Sequence, residues 1–412
     1  SEQRAALEHY CDWLPSARRD FQQCADSGAM VQFSAWGGEL FWNLDGGVVA
    51  NPRRLLKALG PSSPGFSAMS TNSKSGEFFY FSGDRSYIIK TVSPAEGQLL
   101  ARMLPAYQSH LRQLPRSFIV RYAGLFRVHI EGGISKFFTI MTSVFDPRCQ
   151  IHETYDVKGS LFHRKAKSGE SIGKDSDWFD SGRRIKLPAP LRRELIAVHE
   201  QDCAFLAKFF VMDYSVLIGV HRLPPGAKVA AAGFREGGGL WAREDPEVYF
   251  LGIIDFLIGF GLRKEAEHIV RAAQGHAEDA SCVHPVEYAK RQVSFVREKV
   301  FDAPEDCVGT LGTLVVSGMK GRKLINTDGP LDASDPYVVA SLGLQSVRSP
   351  IIKNNLNPDW TDVELRLPVN EHHSSMRLEL ALWDAETSRV LQGADDFLGR
   401  IHMPMHMILR NL

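Results

Sequence analysis

Short apolar runs punctuate the middle of the chain. Glu77–Ser82, Tyr87–Val92, Leu125–Ile130 and Lys136–Met141 are rich in aromatic and β-branched residues, which predicts four strands. Between the second and third, Leu100, Leu104, Tyr107 and Leu111 recur on one helical face. The spacing predicts a helix over Glu96–Leu114, with a kink at Pro105. Leu191, Leu195, Val198, Phe205 and Phe209 predict a long amphipathic helix. Ser215–His221 and Tyr249–Asp255 read as strands, and the Gly-, Ala- and Pro-rich stretch Pro224–Pro246 as a mobile loop. Pro285 opens a last helix that turns Val293, Val296 and Val300 inward. Ahead of this block, residues 1–66 offer hints of short helices around Leu7, Cys11 and Leu14 and over Pro52–Leu59. Gly37-Gly38, Gly46-Gly47 and Pro61 to Pro64 break that segment, and Ser67–Asn72 reads as a loop.

After Asp302–Leu311 the pattern changes. Thr313–Val316, Pro336–Ser341, Val363–Leu367 and Met376–Trp383 are short strands with no long helix between them, which predicts a β-sandwich. The expected division is a segment over 1–66 packed on or within the next domain, a mixed α+β domain over 67–301, a linker over 302–311 and the sandwich over 312–412.

Composition narrows the picture little. Of 412 residues, Lys+Arg and Asp+Glu both number 48, so charge gives no reason to expect a nucleic-acid partner. The six cysteines show no CxxC pairing, which fits a reducing, cytoplasmic compartment without a disulfide framework. The most apolar run, Tyr249 to Leu262, carries Asp255 and falls short of the roughly 20 residues of a bilayer span.

Candidate chemistry sits at the edges of these elements. Ser73-Lys74-Ser75-Gly76 is a small turn before a strand, where backbone N–H groups can approach phosphate oxygens. Lys90 lies inside the apolar strand Ile88-Ile89-Lys90-Thr91; burying it unpaired is costly, so it calls for an anion. Glu96, at the start of the next helix, could orient Lys90 or simply be a solvated helix-start residue. Asp213 and Asp255 each border a strongly apolar strand, and either could equally be a turn residue. Phosphoryl transfer needs one carboxylate near the attacking hydroxyl and another on Mg²⁺.

SGEFFYFS…YIIKT, YDVKGSLFHR, KDSDW, VMDYSVLIGVH, YFLGIID and HPVEYAKR occur in that order. Together, over about residues 70–300, they resemble the core of phosphatidylinositol-phosphate kinases. The resemblance implies a two-lobed α+β kinase-like fold with ATP and Mg²⁺ as cofactors and a phosphoinositide substrate. Position by position, it makes Lys90 the phosphate-binding lysine, Asp213 the catalytic-loop acid and Asp255 the Mg²⁺-binding acid. Gly76 matches the phosphate-covering turn, and Asp156, Lys158 and Arg164 match the nucleotide and substrate-phosphate site. The stretch Arg263 to His268 resembles the lipid-contacting activation segment, where Glu267 before His268 favours the branch acting on phosphatidylinositol 4-phosphate. The isomeric 5-phosphate and a non-catalytic phosphoinositide-binding scaffold are the alternatives. Lys264-Glu265 stands where two lysines are usual, and Met141-Thr142-Ser143 where the hinge often reads Met-Asn-Asn. The resemblance places the enzyme peripherally on the cytosolic face of a membrane and leaves the oligomeric state open, a homodimer included.

Leu324 to Asp328, Ser334 to Val338, Leu356 to Trp360 and Leu382 to Gly399 resemble a C2 domain, an eight-stranded sandwich whose loops can bind calcium and anionic phospholipid. Asp328, Asp335, Asp384, Glu386 and Asp396 fall at the family's acidic positions, with Asp332 a substitute for Asp328. Calcium wants six to eight oxygens, so the set is chemically apt. A calcium-independent sandwich is the competing expectation, and the last strand is expected beyond Leu412.

Overall fold

The computed structural model describes residues 16–23, 30–42, 44, 51–60, 65–69, 78–130, 133, 135–226, 233–234, 239–242, 246–259, 284–302, 310–327, 333–385 and 395–409. Packing divides the chain into two compact units. One comprises Ser1–Leu187 with Phe205–Asp302, the other Pro188–Ala204 with Ala303–Leu412.

In the first unit, β1 (Ser16–Gln23), β2 (Met30–Trp36), β3 (Phe66–Met69), β4 (Phe79–Ser82), β5 (Tyr87–Val92), β6 (Tyr122–Ile130) and β7 (Ser135–Thr142) make one sheet. Its order is β1-β2-β6-β7-β5-β4-β3. Two parts of it differ from expectation. β1 and β2 fall in a segment that read poorly in sequence, yet they pair antiparallel with each other and extend the sheet through pairing of β2 with β6. Phe66–Met69 overlaps the expected loop, and is instead an edge strand held by its ladder to β4. Tertiary pairing has overridden a weak local preference at both places.

Helix α1 (Gly38–Trp42) and helix α2 (Pro52–Leu59) follow β2, the second capped by Asn51, whose side chain accepts from Arg53 N and Arg54 N at 2.9 and 3.3 Å. Helix α3 (Pro94–Gln113) starts at a capping box. Ser93 Oγ accepts from Glu96 N at 3.3 Å, and the Glu96 carboxylate accepts from Ser93 N at 2.7 Å. The helix runs on through Pro105, and Leu100, Leu104, Tyr107 and Leu111 are buried as their spacing requires.

The second sheet of this unit contains β8 (Glu153–Val157), β9 (Gly173–Lys174), β10 (Ser215–Arg222), β11 (Gly233–Phe234), β12 (Leu240–Trp241) and β13 (Glu247–Ile254), in the order β11-β12-β13-β10-β8-β9. β11 and β12 come from the stretch read as a loop; each is two residues long and gains its partners only in the sheet. Helix α4 (Asp175–Asp180) follows β9 directly, and helix α5 (Ala189–Lys208) leads toward β10. Helix α6 (Pro285–Phe295) passes into one π-helical turn, Val296–Val300, with Val293, Val296 and Val300 buried.

Charges knit this sheet together. Arg183 donates to Glu153 on β8 at 2.9 Å and to Glu247 on β13 at 3.2 Å. The Arg183 hydrogen bond is the largest influence on the Glu153 carboxyl, which is held down from 4.5 to about 2. A depressed carboxylate stabilises the fold at pH above 4.5, and that contribution is lost as the pH falls through about 2. The stability difference between wild type and Glu153→Gln, measured by urea unfolding, is therefore expected to shrink over that window; a constant difference would contradict the assignment.

The second unit is a sandwich. β16 (Pro336–Leu342), β17 (Gln345–Arg348), β20 (Arg377–Asp384) and β21 (Asp396–Pro404) form a sheet ordered β17-β16-β20-β21. β14 (Thr310–Val316) pairs with β19 (Leu365–Asn370), and β15 (Met319–Lys320) with β18 (Asp359–Trp360). Its core contains Val338, Ala340, Leu342, Trp360, Leu365, Leu367, Val369, Met376 and Leu378, joined by Met405 from α7 (Met405–Ile408) and by Ala197 from α5. The helix–strand content and open sheets make the chain α+β, with an all-β sandwich as its second part.

Candidate active site

The site grows from one end of the β10–β13 ladder. Ser215 pairs with Ile254 as the first rung, so Asp213 lies two residues before one strand and Asp255 just after the other. Met212 N donates to Ile258 O at 3.1 Å, and Val211 bridges Gly259, which holds the two connecting segments side by side. Both aspartates occupy the left-handed region, with φ of +64° at Asp213 and +58° at Asp255. Non-glycine residues are uncommon there, and such strain gathers where structure is fixed for use. Phe256, next to Asp255, is fully buried; its ring centroid lies 5.3 Å from that of Tyr122 and 6.0 Å from that of Tyr107.

The two sheets of this unit meet beside Asp255. Val120 N donates to Ile253 O at 3.1 Å, and Ile253 N donates to Phe118 O at 2.7 Å. Lys90 comes in from β5, where it is 8% exposed, and its Nζ lies 2.9 Å from Asp255 Oδ1. Lys158 Nζ lies 2.7 Å from Asp213 Oδ1. Arg164 donates from Nη2 to Asp156 Oδ1 at 2.7 Å. Lys90, Asp156, Lys158, Arg164, Asp213 and Asp255 thus form three close cation–carboxylate pairs within one unit. Glu96 stands apart: its carboxylate is engaged by Ser93 N at the start of α3, a capping role that sequence reasoning had not assigned to it. Gly76, Lys264 and Glu267 lie outside the described residues.

Sequence reasoning missed Asp175, though it had marked the KDSDW motif. The Asp175 carboxylate has no exposed surface. Oδ1 accepts from the backbone N–H groups of Lys158, Gly159 and Ser160 at 2.9, 2.7 and 3.1 Å, and Oδ2 from Arg164 Nε at 2.8 Å. Burial pushes the Asp175 carboxyl up, and the Arg164 guanidinium pulls against it. One buried carboxylate therefore shapes the loop that carries Lys158 to Asp213. No periodicity points to it, because its partners are backbone groups far away in sequence.

Gly159 is the hinge of that loop. Its φ is +81°, and a Cβ there would lie 2.7 Å from Gln292 Oε1 and 2.9 Å from Gln292 Cα. Gln292 cannot withdraw, since its Nε2 donates to Val157 O at 2.9 Å from a fully buried position. Gly159→Ala is expected to cost about 1–3 kcal/mol, read as a lower urea midpoint. An unchanged midpoint would show that the loop has room to move.

The donor set suits a magnesium-bound triphosphate. Carboxylate oxygens are the hard ligands Mg²⁺ prefers, and those of Asp213 and Asp255 stand on side chains about one-third exposed, at 32% and 37%. Lysine ammonium groups already lie within 3 Å of both, where phosphate charge needs neutralising. Thr139, the cross-strand partner of Lys90, buries an Oγ1 with no hydrogen-bond partner.

In the sandwich, Asp335 N donates to Asp384 Oδ1 at 2.5 Å, the Thr327 hydroxyl donates to Asp384 Oδ2, and Asn354 N donates to Asp335 Oδ1 at 2.8 Å. Asp396 is the register partner of Asp384. Among the described residues these acids do not bring three oxygens within 4.8 Å of one another. Asp328, Asp332 and Glu386 lie outside the described residues.

Comparison with known proteins agrees with both parts. Residues 62–236 and 231–299 match the family model of phosphatidylinositol-4-phosphate 5-kinase, and residues 312–411 that of the C2 domain. A probable phosphatidylinositol phosphate kinase of Dictyostelium discoideum is 30% identical over 295 residues, covering 55% of this chain and 41% of that protein. A human phosphatidylinositol 4-phosphate 5-kinase-like protein 1 is 32% identical over 275 residues, covering 58% of this chain and 68% of that protein. Human phosphatidylinositol 4-phosphate 5-kinase type-1 beta is 26% identical over 324 residues, covering 66% and 58%. The chain spans 41% of the Dictyostelium relative and 16% of a Plasmodium falciparum phosphatidylinositol 4-phosphate 5-kinase. No helix among the described residues is long and apolar enough to cross a membrane. With more than half of its length matched, the chain belongs to the phosphatidylinositol-4-phosphate 5-kinase family and carries a C2 domain behind its kinase core.

Proposed function

We propose that this protein transfers the γ-phosphoryl group of ATP to the 5-hydroxyl of phosphatidylinositol 4-phosphate, giving the 4,5-bisphosphate. The observation that carries the reading is the convergence of Lys90–Asp255 and Lys158–Asp213 on one end of the β10–β13 ladder. Bound Mg²⁺ supplies charge neutralisation at the transferred group, and Asp255 would hold it. Asp213 orients the lipid hydroxyl and accepts its proton as the oxygen–phosphorus bond forms. The bond from the γ-phosphorus to the bridging oxygen breaks, and ADP leaves with the electron pair. Lys90 neutralises phosphate charge, and Lys158 with Arg164 holds the nucleotide or the substrate phosphate.

Glu267 supports the choice of the 4-phosphate isomer. Lys264-Glu265 carries one cation fewer than the family's pair, and each basic residue near an anionic membrane is worth roughly 1 kcal/mol. This segment therefore docks weakly, and the C2 sandwich supplies the second membrane contact. Two linked weak contacts gain avidity through effective concentration. Calcium would be held by Asp335, Asp384 and Asp396 together with Asp328 and Glu386; equal vesicle pelleting with and without calcium would remove that part.

Product identification from a panel of phosphoinositide vesicles with ATP and Mg²⁺ tests the whole reading. The expected product is the 4,5-bisphosphate from the 4-phosphate, with Glu267→Ala shifting preference toward the 5-phosphate isomer. Preference of the unaltered protein for the 5-phosphate would reassign it as a 4-kinase. Absence of transfer would leave a phosphoinositide-binding scaffold.

A further inference from the structure

The sandwich unit contains a second cluster of charged and ligating groups, unrelated to phosphoryl transfer. Glu200, on the part of α5 that belongs to this unit, is 5% exposed. Its Oε2 lies 2.9 Å from His372 Nε2, and its Oε1 lies 3.8 Å from His373 Nε2. His372 and His373, in the 3₁₀ turn Glu371–Ser375, are 7% and 1% exposed. One ligand atom from each of the three residues lies within 4.8 Å of the others.

Two observations show that hydrogen bonding alone does not complete this cluster. His373 Nε2 is buried, faces the carboxylate and has no hydrogen-bond partner. Among the described residues, no lysine or arginine pairs with the Glu200 carboxylate. The two imidazoles approach it, Leu344 N donates to it at 3.0 Å, and Arg193 on the same helix is paired with Glu371 at 3.2 Å. A buried carboxylate needs a cation or a proton. Space has been made for it at Gly343, where φ is +60° and a Cβ would lie 2.1 Å from Glu200 Oε1.

We propose that Glu200, His372 and His373 bind one zinc ion, which staples the first part of α5 to the sandwich. Two imidazoles and one carboxylate are a zinc ligand set, and three protein ligands leave a fourth position for water. Metal–ligand bonds of roughly 2.0–2.2 Å place ligand atoms about 3–4 Å apart. The 3.8 Å separation fits as it stands, and the 2.9 Å contact opens by a few tenths of an ångström. One hydrogen bond changes. His373 Nδ1 accepts from Asn370 N at 3.0 Å, and zinc on Nε2 requires the proton on Nδ1 instead. The loss of that bond is roughly a tenth of what a structural zinc returns.

The test uses the full chain. After equilibration with zinc and gel filtration, metal analysis is expected to find about one zinc per chain, and His372→Ala/His373→Ala to find almost none. A zinc-selective chelator is expected to lower Tm in wild type and leave the double variant unmoved. Cobalt in place of zinc should give visible absorption bands of a tetrahedral site, which needs no variant and survives misfolding of one. Zinc-free wild-type protein under these conditions would overturn the proposal and leave a hydrogen-bonded cluster. Stoichiometric zinc that persists in a folded double variant would overturn it too, by placing the ion elsewhere. Neither outcome bears on kinase activity.

Discussion

Asp255→Asn is expected to lower kcat for lipid phosphorylation by about 10³-fold while the protein stays folded. The fold should survive because asparagine is among the few side chains that accept a left-handed backbone, and Asp255 sits at φ +58°. Lys90 is 8% exposed and keeps only a neutral acceptor in the amide oxygen, so the stability loss should be about 1–3 kcal/mol. Activity should collapse because the amide has no charge with which to hold a divalent cation. Metal stabilisation of transferred charge is worth several kcal/mol, and each 1.36 kcal/mol is tenfold in rate, which gives the figure of about 10³. Radiolabel transfer from ATP to phosphatidylinositol 4-phosphate vesicles, run beside a urea melt, measures both. Activity within about tenfold of wild type would remove Asp255 from the metal site.

Asp175→Ala should destabilise the protein by about 3–5 kcal/mol, the largest stability loss expected from any site side chain. The substitution leaves three backbone N–H groups of residues 158–160 without their acceptor and takes one of two carboxylates from Arg164. Asp175→Asn should lie in between, since it keeps an acceptor oxygen but turns an NH₂ group toward donors. Urea unfolding gives the magnitude. A loss under about 1 kcal/mol would mean that the loop closes by other contacts. Where the variant folds, the loss of kcat should follow that of Lys158→Ala, because Asp175 acts through the placement of Lys158.

The strands around Lys90, the two aspartates at the β10–β13 ends and the buried face of α3 were legible in the sequence. Each is a local signal: an apolar run, a charge at its edge or a helical period. The pairing of β1 with β2 was not legible, because the polar strand Ser16–Gln23 is stabilised by a partner rather than by its own pattern. Asp175 escaped for a related reason, since a carboxylate that serves backbone N–H groups leaves no mark on periodicity. The Glu200–His372–His373 cluster joins residues 172 positions apart, a distance over which spacing carries no information. Glu96 shows the converse: the capping box it forms with Ser93 is local, yet its position was read as a partner of Lys90 or a solvated residue.

The main-chain bonds that join Val120 and Phe118 to Ile253 have a mechanical consequence. They tie the two sheets of this unit together beside Asp255, so a hinge motion of one sheet against the other would turn about this seam. Ile253 has no exposed surface and Val120 is 5% exposed, which shields the seam from water. In deuterium-labelling experiments those two amides should be among the last to take up label. They should lose protection only in global unfolding.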